Sequence, residues 1–199
     1  MINSLLPSMI GQNLSSGPSI KGLTWSTSIG TSNRSYFPAY GLYDYSVYMS
    51  IFLQSELDDG IEVLNGLEVQ LGSYSSGYTY YDFTIKIAHT SSSSISSYSV
   101  YPNLSGLTTS DLTTVKNEFD WNVSSGWNSI DFDNNFEYNG SDNIVILYEN
   151  RDGDWDSGYG HGESHSPGSY LSGYQYKDNS YPTASVTRNN RRLNTKLKY

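Results

Sequence analysis

The sequence predicts an all-β protein: an antiparallel β-sandwich of jelly-roll type, with an extended N-terminal arm over residues 1–24 and a single domain over 25–199. Three observations carry that expectation. Apolar and polar residues alternate over short runs, the period of a strand with one face buried. The runs are separated by Gly, Ser and Asn clusters that favour turns. No stretch sustains a helical period, and many short strands without helices make a sandwich or jelly roll.

Residues 1–24 are rich in Ser, Gly, Asn and Pro, with Leu5, Leu6, Met9 and Ile10 as apolar points able to dock on the body or on a neighbouring subunit. The first basic residue is Lys21 and Pro7 breaks the apolar part, so the segment lacks the form of a signal peptide. No run is long and apolar enough to predict a membrane span. From Thr24 the pattern becomes β-like. Tyr45, Val47, Met49, Ile51 and Leu53 alternate with Ser46, Tyr48, Ser50, Phe52 and Gln54, predicting a strand with one face inward. Ile61, Val63, Leu67, Val69 and Leu71 share a parity broken by Asn65-Gly66, which predicts two strand pieces with a bulge or kink. After a Ser/Gly loop at Gly72–Gly77, Tyr81, Phe83, Ile85 and Ile87 alternate with polar residues and Ala88 as another strand.

Ser91–Ser97 reads as a loop, and Leu107–Val115 as a segment with one helical turn. Val115–Val123 and Trp127–Phe132 read as strands. Asn139-Gly140 supplies the pair a hairpin-type turn favours, and Asn143–Tyr148, NIVILY, reads as a buried strand beyond it. Residues 151–170 carry Gly, Ser and Asp without periodicity, a long loop of the kind that is functional or mobile. Leu171–Tyr176 and Ser185–Tyr199 are the closing strands.

Composition narrows the function. A net charge of −9 argues against a nucleic-acid partner, and the absence of Cys excludes disulfides and Cys-ligated zinc. Five of the eleven basic residues, Arg188, Arg191, Arg192, Lys196 and Lys198, fall in the last twelve positions, where no acid stands. The expectation is a last strand whose long side chains face water, the alternative an interaction tail. The 19 Tyr suit both half-buried strands and binding surfaces, since each brings a rigid apolar face with a polar tip.

Chemistry-bearing motifs are few. Asp152, Asp154 and Asp156 are spaced like the first ligands of a calcium loop, and Glu163 stands at the twelfth position as its bidentate acid would. Ser157 stands where the loop needs Gly, with Gly158 one place late, and flanking helices are not predicted; a solvated acidic loop is the competing reading. His161 and His165 are four apart, but Gly160, Gly162 and Pro167 argue against the helix that would aim both at one metal. No nucleophile elbow, phosphate loop or dinucleotide fingerprint is present. What remains is aromatic. Trp155, Tyr159 and Tyr170 are the candidate ligand-binding residues, able to stack on a sugar ring while Asn, Asp and Ser bond its hydroxyls. Tyr74 and Tyr78 are further loop aromatics, and Trp121 and Trp127, on strands, are expected in the core.

Five stretches in order carry a resemblance: Ser50–Leu57, Ala88-His89-Thr90, Gly126–Phe132, Tyr138–Val145 and Leu193–Leu197. Together they resemble the β-sandwich modules of secreted and surface proteins of Bacteroidota, related to the adhesin-type domains attached to their proteases. The resemblance spans about residues 25–199 and implies the sandwich and an adhesive or binding role rather than a catalytic one. Such modules are usually exported and embedded in longer chains, whereas this sequence shows neither an export signal nor a sorting domain. The expectation is therefore a non-enzymatic virion protein of a bacteriophage, a head decoration, fibre, spike or tail component that touches a host-surface polysaccharide. It would join other virion proteins through its N-terminal arm and form a homo-oligomer, with no nucleic acid and no membrane insertion. No cofactor is expected beyond the candidate calcium. The alternatives are a secreted or cell-surface bacterial adhesin or carbohydrate-binding module and, further off, a glycan-active hydrolase with two facing carboxyls.

Overall fold

The computed structural model describes residues 30–57, 59–73, 77–96, 111–183 and 185–199. The arm expected over 1–24, Tyr74, and the first part of the segment expected to turn helically from Leu107 lie outside the described residues. The strands in chain order are β1 (Ser32–Arg34), β2 (Tyr45–Phe52), β3 (Val63–Leu71), β4 (Thr79–Thr90), β5 (Thr113–Asn122) and β6 (Gly126–Glu137). They continue as β7 (Asn143–Asn150), β8 (Gly162–His165), β9 (Ser172–Lys177), β10 (Thr187–Asn189), β11 (Arg192–Leu193) and β12 (Thr195–Lys198). They form two six-stranded sheets, every pairing antiparallel. One sheet runs β10-β9-β2-β7-β4-β5. The other centres on β3, flanked by β6 and β12; β11 pairs with β8, and β8 with β1. The chain passes back and forth between the layers, in the manner of a jelly roll.

The inner faces close one core. Tyr48, Phe52, Tyr80, Phe83, Ile85, Ile87, Ile146 and Tyr148 of the first sheet meet Leu64, Leu67, Val69, Leu71, Leu193 and Leu197 of the second. The outer face of the first sheet is buried as well: Val47, Met49, Ile51, Val145 and Leu147 pack under Ile95, Leu171 and Val186. This is why β2 and β7 are apolar at both parities, as strands covered on both faces must be. In β2 the expected inward face therefore becomes two buried faces, with Tyr48 and Phe52 toward the other sheet.

Other expectations are corrected in the same physical terms. Asn139-Gly140 does not close a hairpin. β6 pairs with β3 in one sheet and β7 lies between β2 and β4 in the other, so the turn carries the chain across the sandwich. Asn139 Oδ1 accepts the N–H groups of Ser141 and Asp142, and Tyr138 donates to the carbonyl of Asp142, which holds the wider loop. Tyr81 is exposed despite sharing a parity with Phe83. Asp82, at φ 48°, bulges the strand so that Tyr80 takes the inward place opposite Trp121. β3 bends between Leu64 and Gly66, at the expected break. β5 begins at Thr113, inside the segment expected to turn helically.

The 151–170 stretch contains β8, with β1 on one side and β11 on the other. Gly162 allows that close packing: a Cβ there would sit 2.6 Å from Leu193 Cδ1 and 2.8 Å from the carbonyl oxygen of Phe37. Gly162→Ala is expected to lower stability by about 1–3 kcal/mol, because the backbone carbonyl cannot yield as a side chain can. Urea unfolding would show this as a lower midpoint at unchanged slope.

The basic C-terminal segment does not simply face water. Arg192 is fully buried. Its guanidinium donates to the Ile51 carbonyl at 2.8 Å and to both Glu56 oxygens, at 2.8 and 2.7 Å. Asn194 Nδ2 donates to Gly30 O and Gln70 Oε1, so its Oδ1 accepts from His165 Nδ1 at 2.9 Å. That fixes the tautomer and leaves His165 Nε2 as an acceptor, 3.4 Å from Arg192. Burial lowers the His165 pKa from 6.5, the Asn194 hydrogen bond raises it, and the Arg192 charge lowers it again; the balance is downward. Burial pushes the Glu56 carboxyl up, but the Arg192 bonds and charge outweigh it and hold the group below 4.5.

Both shifts have the same consequence. The unfolded chain protonates first as pH falls, so the stability is full above the unfolded pKa and is lost as pH drops through the folded one. The melting temperature is expected to fall from about pH 6.5 downward with His165, and further once Glu56 titrates. His165→Gln, which keeps an acceptor without the titration, should flatten the first stage, leaving the share of His89 and His161, whose pKa values burial also lowers.

Candidate functional site

Strand register decides which loops meet. Tyr45 of β2 pairs with Lys177 of β9, and Asn150 of β7 lies between Ser46 of β2 and Phe83 of β4. The connections leaving these residues therefore converge at one end of the sandwich. The loop after Asn150 is tied to the turn before β2 through backbone: Gly153 N–H donates to Asp44 O at 2.9 Å and Asp156 N–H to Gly41 O at 2.8 Å. Gly153 takes φ 77°, a conformation glycine adopts without strain. Asp154 caps the Trp155 N–H and Asp156 the Gly158 N–H.

Trp155 stands at the crest of this loop with 60% of its surface exposed. It walls two clefts. One, of about 600 Å³, is lined by Leu42, Tyr43, Asp44, Trp155, Asp178 and Asn179. The other, of about 120 Å³, is lined by Tyr78, Thr79, Tyr81, Trp155 and the carboxylates of Asp152, Asp154 and Asp156. Of the four large hydrophobic side chains exposed among the described residues, three, Leu42, Tyr81 and Trp155, fall on these clefts. This grouping of exposed apolar side chains, where a lone one would carry no weight, makes the tip the candidate site.

Behind the clefts the tip is stiffened by stacked rings. Tyr36 lies on Tyr174 at 4.1 Å and Tyr43 on Tyr176 at 4.2 Å, while Tyr40 meets Tyr159 and Tyr176 edge-on. Tyr43 joins this pile to the larger cleft.

The cleft linings are acidic: Asp44 and Asp178 line the larger cleft and three aspartates the smaller, and among the described residues no Lys or Arg lines either. Burial raises the Asp152 carboxyl above its ordinary value, and the neighbouring Asp154, Asp82 and Asp120 charges add to this against a backbone hydrogen bond from Tyr81. The Tyr78 hydroxyl is pushed up by burial and then by Asp152 and Asp156.

The sequence-predicted residues are dispersed. Trp155 and the three aspartates share the tip. Tyr159 is half-buried in the tyrosine pile, against Tyr40 and His161. Tyr170 lies at the other end of the sandwich, before Leu171, whose carbonyl accepts the N–H of Ile51, and its ring stacks under Arg188 at 3.9 Å. Glu163 is on β8 opposite Asn33, away from the loop of aspartates. Among the described residues no group of three or more His, Asp or Glu side chains is placed to hold a metal ion. Trp121 is buried, and Trp127 is half-buried beneath Lys196 at 4.0 Å.

Leu42, Tyr43, Asp44, Tyr81, Asp178 and Asn179 were not singled out from sequence. The Asp178-Asn179 pair, between two strands, was the readable signal: Asn179 takes φ 63°, and its N–H donates to Asp44 Oδ2 at 2.8 Å, which folds that turn against the cleft. Comparison with family models, curated proteins and solved structures gives no match for this chain.

Proposed function

We propose that the protein is a non-enzymatic binding module that takes a saccharide chain at the Trp155 tip. The observation that supports this most is a mostly exposed indole, held by backbone hydrogen bonds between two clefts that carry carboxylate, amide and hydroxyl groups. A rigid aromatic face costs little ordering entropy on binding, and carboxylates and Asn179 can accept or donate to sugar hydroxyls. The setting we propose is a bacteriophage virion, as a decoration, fibre, spike or tail component that reaches a host-surface polysaccharide. The apolar points Leu5, Leu6, Met9 and Ile10 suit docking on a neighbouring virion subunit.

A secreted or cell-surface adhesin with the same tip is the second reading, favoured by the resemblance to Bacteroidota surface modules. Glycan-array binding tests the site: retention of a defined set of polysaccharides supports it, and retention of none overturns it. Antibody labelling separates the settings, marking phage particles in the first reading and the bacterial envelope in the second.

A further inference from the structure

We infer, resting on the saccharide reading above, that the ligand is a cationic glycan: a chain of amino sugars bearing free, protonated amines, laid across Trp155 with sugars in both clefts. Trp155 lines both clefts, so a chain crossing it places successive residues beside Asp44 and Asp178 on one side and beside Asp152, Asp154 and Asp156 on the other. A ligand of uronic acids, sialic acids or sulfated sugars would bring like charge to five carboxylates, and among the described residues no cation lines either cleft to receive it. An acetylated or otherwise neutral sugar can stack on the indole but gains nothing from the carboxylates beyond hydrogen bonds.

An ammonium group gains both. The crowding of Asp82 and Asp120 behind Asp152 is relieved when a cation arrives, and the charge-assisted hydrogen bond that forms is among the stronger kinds. Each ammonium–carboxylate contact near 4 Å in high dielectric is worth about fivefold in affinity, and such contacts weaken with salt. Stacking on Trp155 supplies the position, and the aspartates supply the choice among sugars.

The test is calorimetric titration of the full chain with three hexasaccharides, of glucosamine, of N-acetylglucosamine and of galacturonic acid, at mildly acidic pH and at low and high salt. The glucosamine hexamer is expected to bind at least about tenfold tighter than the acetylated one, and to lose that margin in high salt. The galacturonate hexamer should give no heat of binding. Trp155→Ala should weaken binding of the glucosamine hexamer at least about 30-fold, and an Asp152→Asn, Asp154→Asn, Asp156→Asn triple variant should take away most of its margin over the acetylated hexamer.

Equal or tighter binding of the acetylated or the anionic hexamer overturns the inference and leaves the saccharide reading standing. Glucosamine binding of unchanged affinity in Trp155→Ala also overturns it, because attraction of any polycation to an acidic protein would then suffice. No binding of the glucosamine hexamer overturns it too, and the glycan array then decides on its own whether the tip takes saccharide.

Discussion

Glu56→Ala is expected to lower the stability of the fold by about 3–5 kcal/mol, because it leaves a buried charge without its counter-ion. The Arg192 guanidinium has no access to water. Both Glu56 oxygens bond it, while His165 is a neutral neighbour that cannot replace a carboxylate. The loss also reaches the C-terminal strands, since Arg192 anchors β11 to the Ile51 carbonyl of β2 across the sandwich. In a chain of this size the melting temperature should drop by roughly 10 °C.

The surface pair Lys196–Glu68 gives the contrast. Its side chains are 30% and 23% exposed, and Glu68→Ala should cost only about 0–1 kcal/mol. Removing both partners of the Arg192–Glu56 pair, in which Arg192 is the buried member, as in Glu56→Leu with Arg192→Met, should recover most of the loss. The penalty belongs to the unpaired charge more than to the bridge itself. Thermal unfolding of the three variants side by side measures this, and equal losses in Glu56→Ala and Glu68→Ala would contradict it.

Trp155→Ala should act on binding and spare the fold. The loop that carries the indole is held by the backbone bonds to Gly41 and Asp44 and by the Asp154 and Asp156 caps, none of which needs the ring. Stability should therefore stay within about 0.5 kcal/mol. Binding should fall by about 2 kcal/mol or more, some 30-fold, as for a central aromatic anchor between two subsites. Trp155→Phe should keep part of the affinity by retaining an aromatic face. Tyr170→Ala, at the other end of the sandwich, should leave it unchanged. Parallel titrations and melts of these three variants separate a binding role from a packing one.

The strands were readable and their partners were not. Trp121–Asn150 shows why: alternation in β6 and the apolar run of β7 give two strands, yet the same local patterns serve a hairpin in one sheet or a crossing between two. What decides is long-range pairing with β3 and β2, which leaves no local mark. β8 was hidden in the Gly/Ser/Asp loop because its four residues, GESH, have no apolar period; neighbouring strands hold it through backbone. Parity failed at Tyr81 because a bulge at Asp82 exchanges which residue points inward. Arg192 looked like one more surface cation in a basic tail, since the carboxylate that lets it be buried is Glu56, far off in sequence.

At the candidate site, Trp155 stood out because a Trp in an aperiodic Gly/Asp loop has no strand face to occupy. Leu42, Asp44 and Asp178 did not, because their meeting depends on the register of β2 with β9. The tyrosines were visible as a composition, but the division between a buried pile and an exposed cleft wall comes from packing across strands. Tyr159 thus falls in the pile and Tyr43 at the junction of pile and cleft.

The most direct measurement of the claim that the tip binds saccharide is a two-dimensional NMR titration reading the indole N–H signals, with each polysaccharide fragment that the glycan array retains. The predicted result is a saturable shift of the Trp155 signal, with those of buried Trp121 and Lys196-covered Trp127 unmoved. A titration in which Trp155 stays still while the protein binds, or in which Trp127 or Trp121 moves in its place, would contradict the assignment of the tip as the binding site.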